Sequence, residues 1–90
     1  MTLTNITKTL ITTISYMIIQ KYEVADINRI ANELTDYLKI DLQKSTPEEI
    51  LNFKQRLRHS LNNLVKNGLI VKEQSKNSIY KNYVIYKLNK

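Results

Sequence analysis

Cysteine is absent from the 90-residue chain, which removes disulfides, thiolate metal sites and thiol nucleophiles together. Histidine occurs once, at His59, and no His/Asp/Glu cluster has metal-ligand spacing, so neither metal nor cofactor is expected. Gly68 is the sole glycine, which rules out a glycine-rich phosphate loop. No apolar run, Tyr16 to Ile19 included, approaches the roughly 20 residues of a membrane span. The N-terminus carries neither a basic n-region nor a small-residue cleavage site, so no secretory signal is expected and the cytoplasm is the default compartment. Glu48 and Glu49 are adjacent, hence about 100° apart on a helix, and suit capping better than paired acid–base work. With no nucleophile, base and metal in any constellation, the chain is not expected to be an enzyme.

Acid is the next scarcity, and it is local. Residues 1–49 hold five basic groups (Lys8, Lys21, Arg29, Lys39, Lys44) against seven acids. Residues 50–90 hold nine basic groups against one acid, Glu73. The formal charge of +6 therefore resides in the second half, and such asymmetry points to a polyanionic partner. A solvated basic surface is the plainer alternative.

Ninety residues make one domain, 1–90, and its limited burial makes a homodimer partner useful. From about 4 to 22, Leu3, Ile6, Leu10, Ile14, Met17 and Ile18 recur at spacings of three and four, with Ile11 beside them, predicting an amphipathic helix. Ile19 falls off that stripe, as a subunit contact or an ordinary helix edge. Lys21 to Ala25 reads as a short extended piece. A second helix spans about 26–39, with Asp26 as N-cap and Ile27, Ile30, Ala31, Leu34, Tyr37 and Leu38 as its stripe. Ile40 to Ser45 has no firm period and reads as a connection.

The third helix, about 46–67, has the clearest start. Thr46, Pro47 and Glu49 are the parts of a capping box with proline at the first helical position. Ile50, Phe53, Leu57, Leu61, Leu64 and Val65 form its apolar stripe, and Gly68 ends it in the left-handed region. A break near Asn52 is compatible with the pattern. Beyond Gly68 the period becomes two: strands at about 69–74 and 79–88 flank a turn at 75–78, where Asn77 must supply any left-handed position. Tyr80, Asn82, Val84, Tyr86 and Leu88 share the expected core face of the returning strand. The fold class is mainly α with a small β-hairpin (α+β).

The ten residues from Leu61 to Ile70, LNNLVKNGLI, resemble the end of the recognition helix in winged helix-turn-helix transcription regulators. Tyr86, Lys87 and Leu88 resemble the last strand of those domains, and small archaeal and viral regulators are similar in size and composition. The resemblance implies a three-helix winged helix-turn-helix whose third helix reads the major groove of double-stranded DNA as a homodimer. It places base contacts at Gln55, Arg56, Arg58 and His59, counted back from Leu61.

The residues support this on their own account. The side of the third helix away from its apolar stripe collects Asn52, Gln55, Arg56, His59, Asn62, Asn63 and Lys66, with Lys54 and Arg58 on a flank, and holds no acid from Ile50 to Asn67. Arginine and lysine suit guanine edges; asparagine and glutamine suit adenine. Asn52, Gln55, Arg56, Arg58 and His59 are thus expected to read bases. Lys54, Asn62, Lys66 and the wing residues Lys72, Lys76 and Lys81 are expected on the DNA backbone. The longer connection at 40–45 departs from the family's short turn and leaves the angle between the second and third helices open. A protein-interaction module, or nonspecific DNA or RNA binding, remains the alternative, and Tyr80, Tyr83 and Tyr86 read as packing residues rather than base-stacking platforms. No small-molecule ligand is implied.

Overall fold

Each helix begins where a side chain can accept a hydrogen bond from an otherwise unpaired backbone N–H. In the computed structural model, which describes residues 2–74 and 84–90, α1 (Lys8–Tyr22) starts after Thr7, whose hydroxyl accepts from the Leu10 N–H. The helix is three to four residues shorter at this end than the apolar periodicity suggests. Leu3 and Ile6 keep their places in the core, but from a turn in which the Asn5 N–H donates to the Thr2 carbonyl. Helix α2 (Ile27–Tyr37) starts at Asp26, whose carboxylate accepts from the Arg29 N–H at 2.7 Å. Helix α3 (Pro47–Lys66) starts with a complete capping box: Thr46 and Glu49 each accept from the other's backbone N–H at 3.1 Å. Such a cap contributes about 1 kcal/mol, and α3 then runs without a break at Asn52.

The helix ends are closed with equal care. Past α3, the Gly68 N–H donates to the Val65 carbonyl and the Leu69 N–H to the Leu64 carbonyl, the paired bonds of a Schellman motif around a left-handed Gly68, φ 77°. The same pair of bonds closes α2: Lys39 N–H to Asp36, and Ile40 N–H to Thr35. There the left-handed position falls on Lys39, φ 58°, a residue with a Cβ to accommodate. From Ile40 to Ser45 the connection contains one 3₁₀ turn, Leu42–Lys44.

Among the described residues three strands complete the fold: β1 (Val24–Asp26), β2 (Ile70–Gln74) and β3 (Val84–Leu88). They form an antiparallel sheet in the order β1-β3-β2, with Ala25 opposite Tyr86 and Lys72 opposite Tyr86 on the other side. The extended piece anticipated at 21–25 is thus a sheet strand displaced toward 24–26, while Lys21 and Tyr22 remain in α1. Three helices and a hairpin is the α+β winged architecture; the first strand widens its sheet.

One apolar core joins all these elements. It draws Leu3 and Ile6 from the N-terminal turn, Ile11, Ile14, Ile18 and Ile19 from α1, and Ile30, Ala31 and Leu34 from α2. Phe53, Leu57, Leu61 and Leu64 enter from α3, with Ala25, Ile70 and Tyr86 from the sheet. Two positions of the apolar stripes point elsewhere: Met17 is 48% exposed and Tyr37 64%. Ile19, in contrast, is fully buried. The subunit contact considered for Ile19 is therefore not made by that residue, because α1 is covered over a wider arc than one stripe. Tyr86 occupies the core face of β3 as expected, with Val84 and Leu88 half-buried beside it. Tyr80, Asn82, Tyr83 and Asn77 lie outside the described residues.

Two outcomes test these packing arguments. Replacing Lys39→Gly should raise the stability by roughly 1 kcal/mol, since glycine carries no Cβ penalty in the left-handed region; a lower urea midpoint for K39G would overturn it. Burial pushes the Tyr86 phenol above its ordinary value of 10.0, and the charge of Arg58 opposes that shift. The folded chain therefore holds this proton more tightly than the unfolded chain. That contribution is complete below pH about 10 and is lost as pH rises through the folded value. Tyr86→Phe should accordingly lessen the alkaline fall in stability, measured by urea unfolding from about pH 9 to 11.

Candidate nucleic-acid interface

A helix that buries Phe53, Leu57, Ser60, Leu61 and Leu64 on one side must present the positions between them on the other. Along α3, Gln55, His59, Asn62 and Lys66 follow one another at spacings of four, three and four, and all four are exposed. A parallel stripe, Leu51, Gln55, Arg58 and Asn62, is exposed as well. Asn52 is exposed one turn before Arg56 on the flank that faces α1. Six of the anticipated contact residues on α3 (Asn52, Gln55, Arg58, His59, Asn62, Lys66) thus lie on one open surface.

Two others are hydrogen-bonded to other parts of the chain. Arg56 is half-buried, and its guanidinium donates to the Leu3 carbonyl at 3.1 Å and to the Ile6 carbonyl. Arg56, expected to read bases, has its side chain turned along the flank of α3, where it holds the N-terminal turn. Those two carbonyls lie beside core residues and precede α1, where no helical N–H reaches them, and the forked guanidinium satisfies both. Lys54, expected on the DNA backbone, is partly buried and donates to the Asn28 side-chain oxygen at 3.1 Å. It ties the first turn of α2 to α3 on the opposite flank from Arg56.

The sheet adds one more cation to the surface. Lys72 is exposed on β2 and lines, with Arg58, a shallow depression of about 200 Å³ where α3 meets α2 and the sheet. Tyr86 and Asn28 form part of its wall. Glu73, the one acid of the second half, is paired with Lys87 at 2.9 Å; at this exposure the pair adds little stability, but it neutralises the charge. Lys76 and Lys81 lie outside the described residues.

Residues that the sequence reading passed over also matter here. Leu51 is 54% exposed on the outer stripe of α3, and its apolar type would have marked it for the core. Asn28 was hidden because nothing in its local pattern shows that α2 begins beside Lys54. Among the described residues no group of His, Asp and Glu could hold a metal ion, and no helix is long and apolar enough to cross a membrane.

No family model, no curated protein and no solved structure matches this chain.

The Arg56 contact has a measurable consequence. Charge-assisted hydrogen bonds contribute about 1.5–3 kcal/mol each, so Arg56→Gln should destabilise the fold by at least about 2 kcal/mol. Amide exchange of residues 2–7 should accelerate before that of α3. Unchanged exchange there in R56Q would show that the guanidinium does not hold the turn.

Proposed function

We propose that the chain binds double-stranded DNA sequence-specifically as a transcription regulator, with α3 in the major groove and the β2–β3 hairpin against the backbone. The observation that carries this reading is the open side of α3 from Asn52 to Lys66, which holds no acid; Glu48, one turn earlier on the same side, is the exception at the helix start. That helix is about 30 Å long, and a major groove about 12 Å wide admits it. Gln55, Arg58 and His59 take the base-reading role, with Asn52 at the edge. Asn62, Lys66 and Lys72 take phosphates, which position the protein without reading sequence. Arg56 acts from behind by fixing the N-terminal turn. The likeness to winged helix-turn-helix regulators, carried by Leu61 to Ile70, supports the same assignment. Two copies would occupy half-sites about one helical turn apart.

A second reading is a protein-interaction module, in which Leu51, exposed on the same stripe, would meet the partner.

A titration separates the two. The protein is mixed with random duplexes and the bound fraction sequenced, then the preferred duplex is titrated across salt concentrations. The expected log–log slope is about −3 or steeper, each neutralised phosphate contributing about −0.9. Replacing Gln55→Ala or Arg58→Ala should cost about 1–3 kcal/mol on the preferred site and relax the preference. Lys72→Gln should weaken all duplexes alike. Absence of duplex binding at low salt would sink the DNA reading in favour of the interaction module, and binding without preference would leave charge-driven association to DNA or RNA.

A further inference from the structure

Between the first turn of α1 and the second half of α3 lies a cleft of about 320 Å³, lined by Lys8, Ile11, Arg56, His59, Ser60 and Asn63. Its size matches the lower end of small-ligand sites. Its chemistry is one-sided: an ammonium, a guanidinium, an imidazole, an amide and a hydroxyl, with no carboxylate. Two N–H groups of Arg56 are occupied by the Leu3 and Ile6 carbonyls, which pins the guanidinium and leaves its charge at the cleft wall. The first turn of α1 also holds no acid, so the positive end of its dipole is uncompensated.

Ser60 supplies an independent observation. It is 1% exposed, and its hydroxyl has no hydrogen-bond partner. Helical Thr12 and Thr35 each donate to the carbonyl four residues earlier; Ser60 does not, although that solution is open to it. An unsatisfied buried hydroxyl costs about 1–3 kcal/mol and is a feature that wants a physical reason. Ser15 is likewise buried and unpartnered, but it does not line this cleft and serves as the internal control.

We propose that the cleft binds a small organic anion. A carboxylate or phosphate head would be held by Lys8, His59, Asn63 and Ser60, with a compact apolar body against Ile11. The site stands on its own observations. His59, however, also belongs to the outer stripe of α3, so on the DNA-binding reading above, the anion and the duplex compete for that side chain.

The test is an amide-resolved NMR titration of the whole chain with phenyl phosphate, benzoate and inorganic phosphate, using benzyl alcohol as the neutral control. The anions should give saturable shifts centred on Lys8, Ile11, His59, Ser60 and Asn63, and benzyl alcohol none. Lys8→Gln should weaken binding at least about tenfold, the loss of one charge-assisted bond. Ser60→Ala, which removes only an unpaired hydroxyl and keeps the fold, should weaken it several-fold, while Ser15→Ala leaves it unchanged. No saturable shifts, shifts centred elsewhere, or equal affinity in S60A would overturn the proposal. So would shifts at these residues produced by a duplex and by none of the free anions, because the cleft would then serve a backbone phosphate. Duplex affinity, measured separately by the salt titration, reports on the DNA reading whichever way the anion titration falls.

Discussion

The rest of the molecule depends on how α3 is seated. Phe53, Leu57, Leu61 and Leu64 are buried against α1, α2 and the sheet, and their removal from water is the largest driving force available to a chain this small. Once that side is sealed, rotation of the helix by even one position would expose a leucine and bury a cation without a partner. The polar side is therefore held outward by the cost of any other arrangement. The capping box at Thr46 and the Schellman motif at Gly68 define where this helix starts and stops, so the outward surface has a set length as well as a set direction.

Around that helix, the cations divide into three kinds by what surrounds them. Arg56 is turned inward onto the Leu3 and Ile6 carbonyls, while Lys54, on the opposite flank, is hydrogen-bonded at the surface to Asn28. Arg58, Lys66 and Lys72 remain on the surface, where their charge can act on a polyanion. Lys87 is paired with Glu73 and Lys90 with Glu23, whose carboxyl is held below its usual range by the hydrogen bond and charge of Lys90. A count of basic residues treats these groups alike; their neighbours do not.

Much of this architecture was legible because its signals are local. The Thr46-to-Glu49 box, the Asp26 cap and the helix stop at Gly68 rest on hydrogen bonds between residues at most five apart, and each was found where the local pattern placed it. The switch from a period near four to a period of two marked the hairpin for the same reason. Where readings failed, a distant contact had intervened. Leu3 and Ile6 continue the spacing of α1, yet Thr7 caps the helix after them and Arg56, some fifty residues on, donates to their carbonyls. Lys39 takes a left-handed conformation usual for glycine because the chain must turn at the end of α2. Ile19 and Met17 exchange their expected environments, since packing from several directions, rather than one stripe, decides which side of α1 is covered.

The order of elements, the apolar side of α3 and the absence of acid on its opposite side beyond Ile50 were determined by the sequence alone, because helical periodicity and capping are short-range properties. The tertiary structure alone decided which of those polar groups remain available. Orientation of a long cationic side chain depends on whether unpaired carbonyls or amides lie within its reach, and residues far apart in the chain come within reach only after the core has closed.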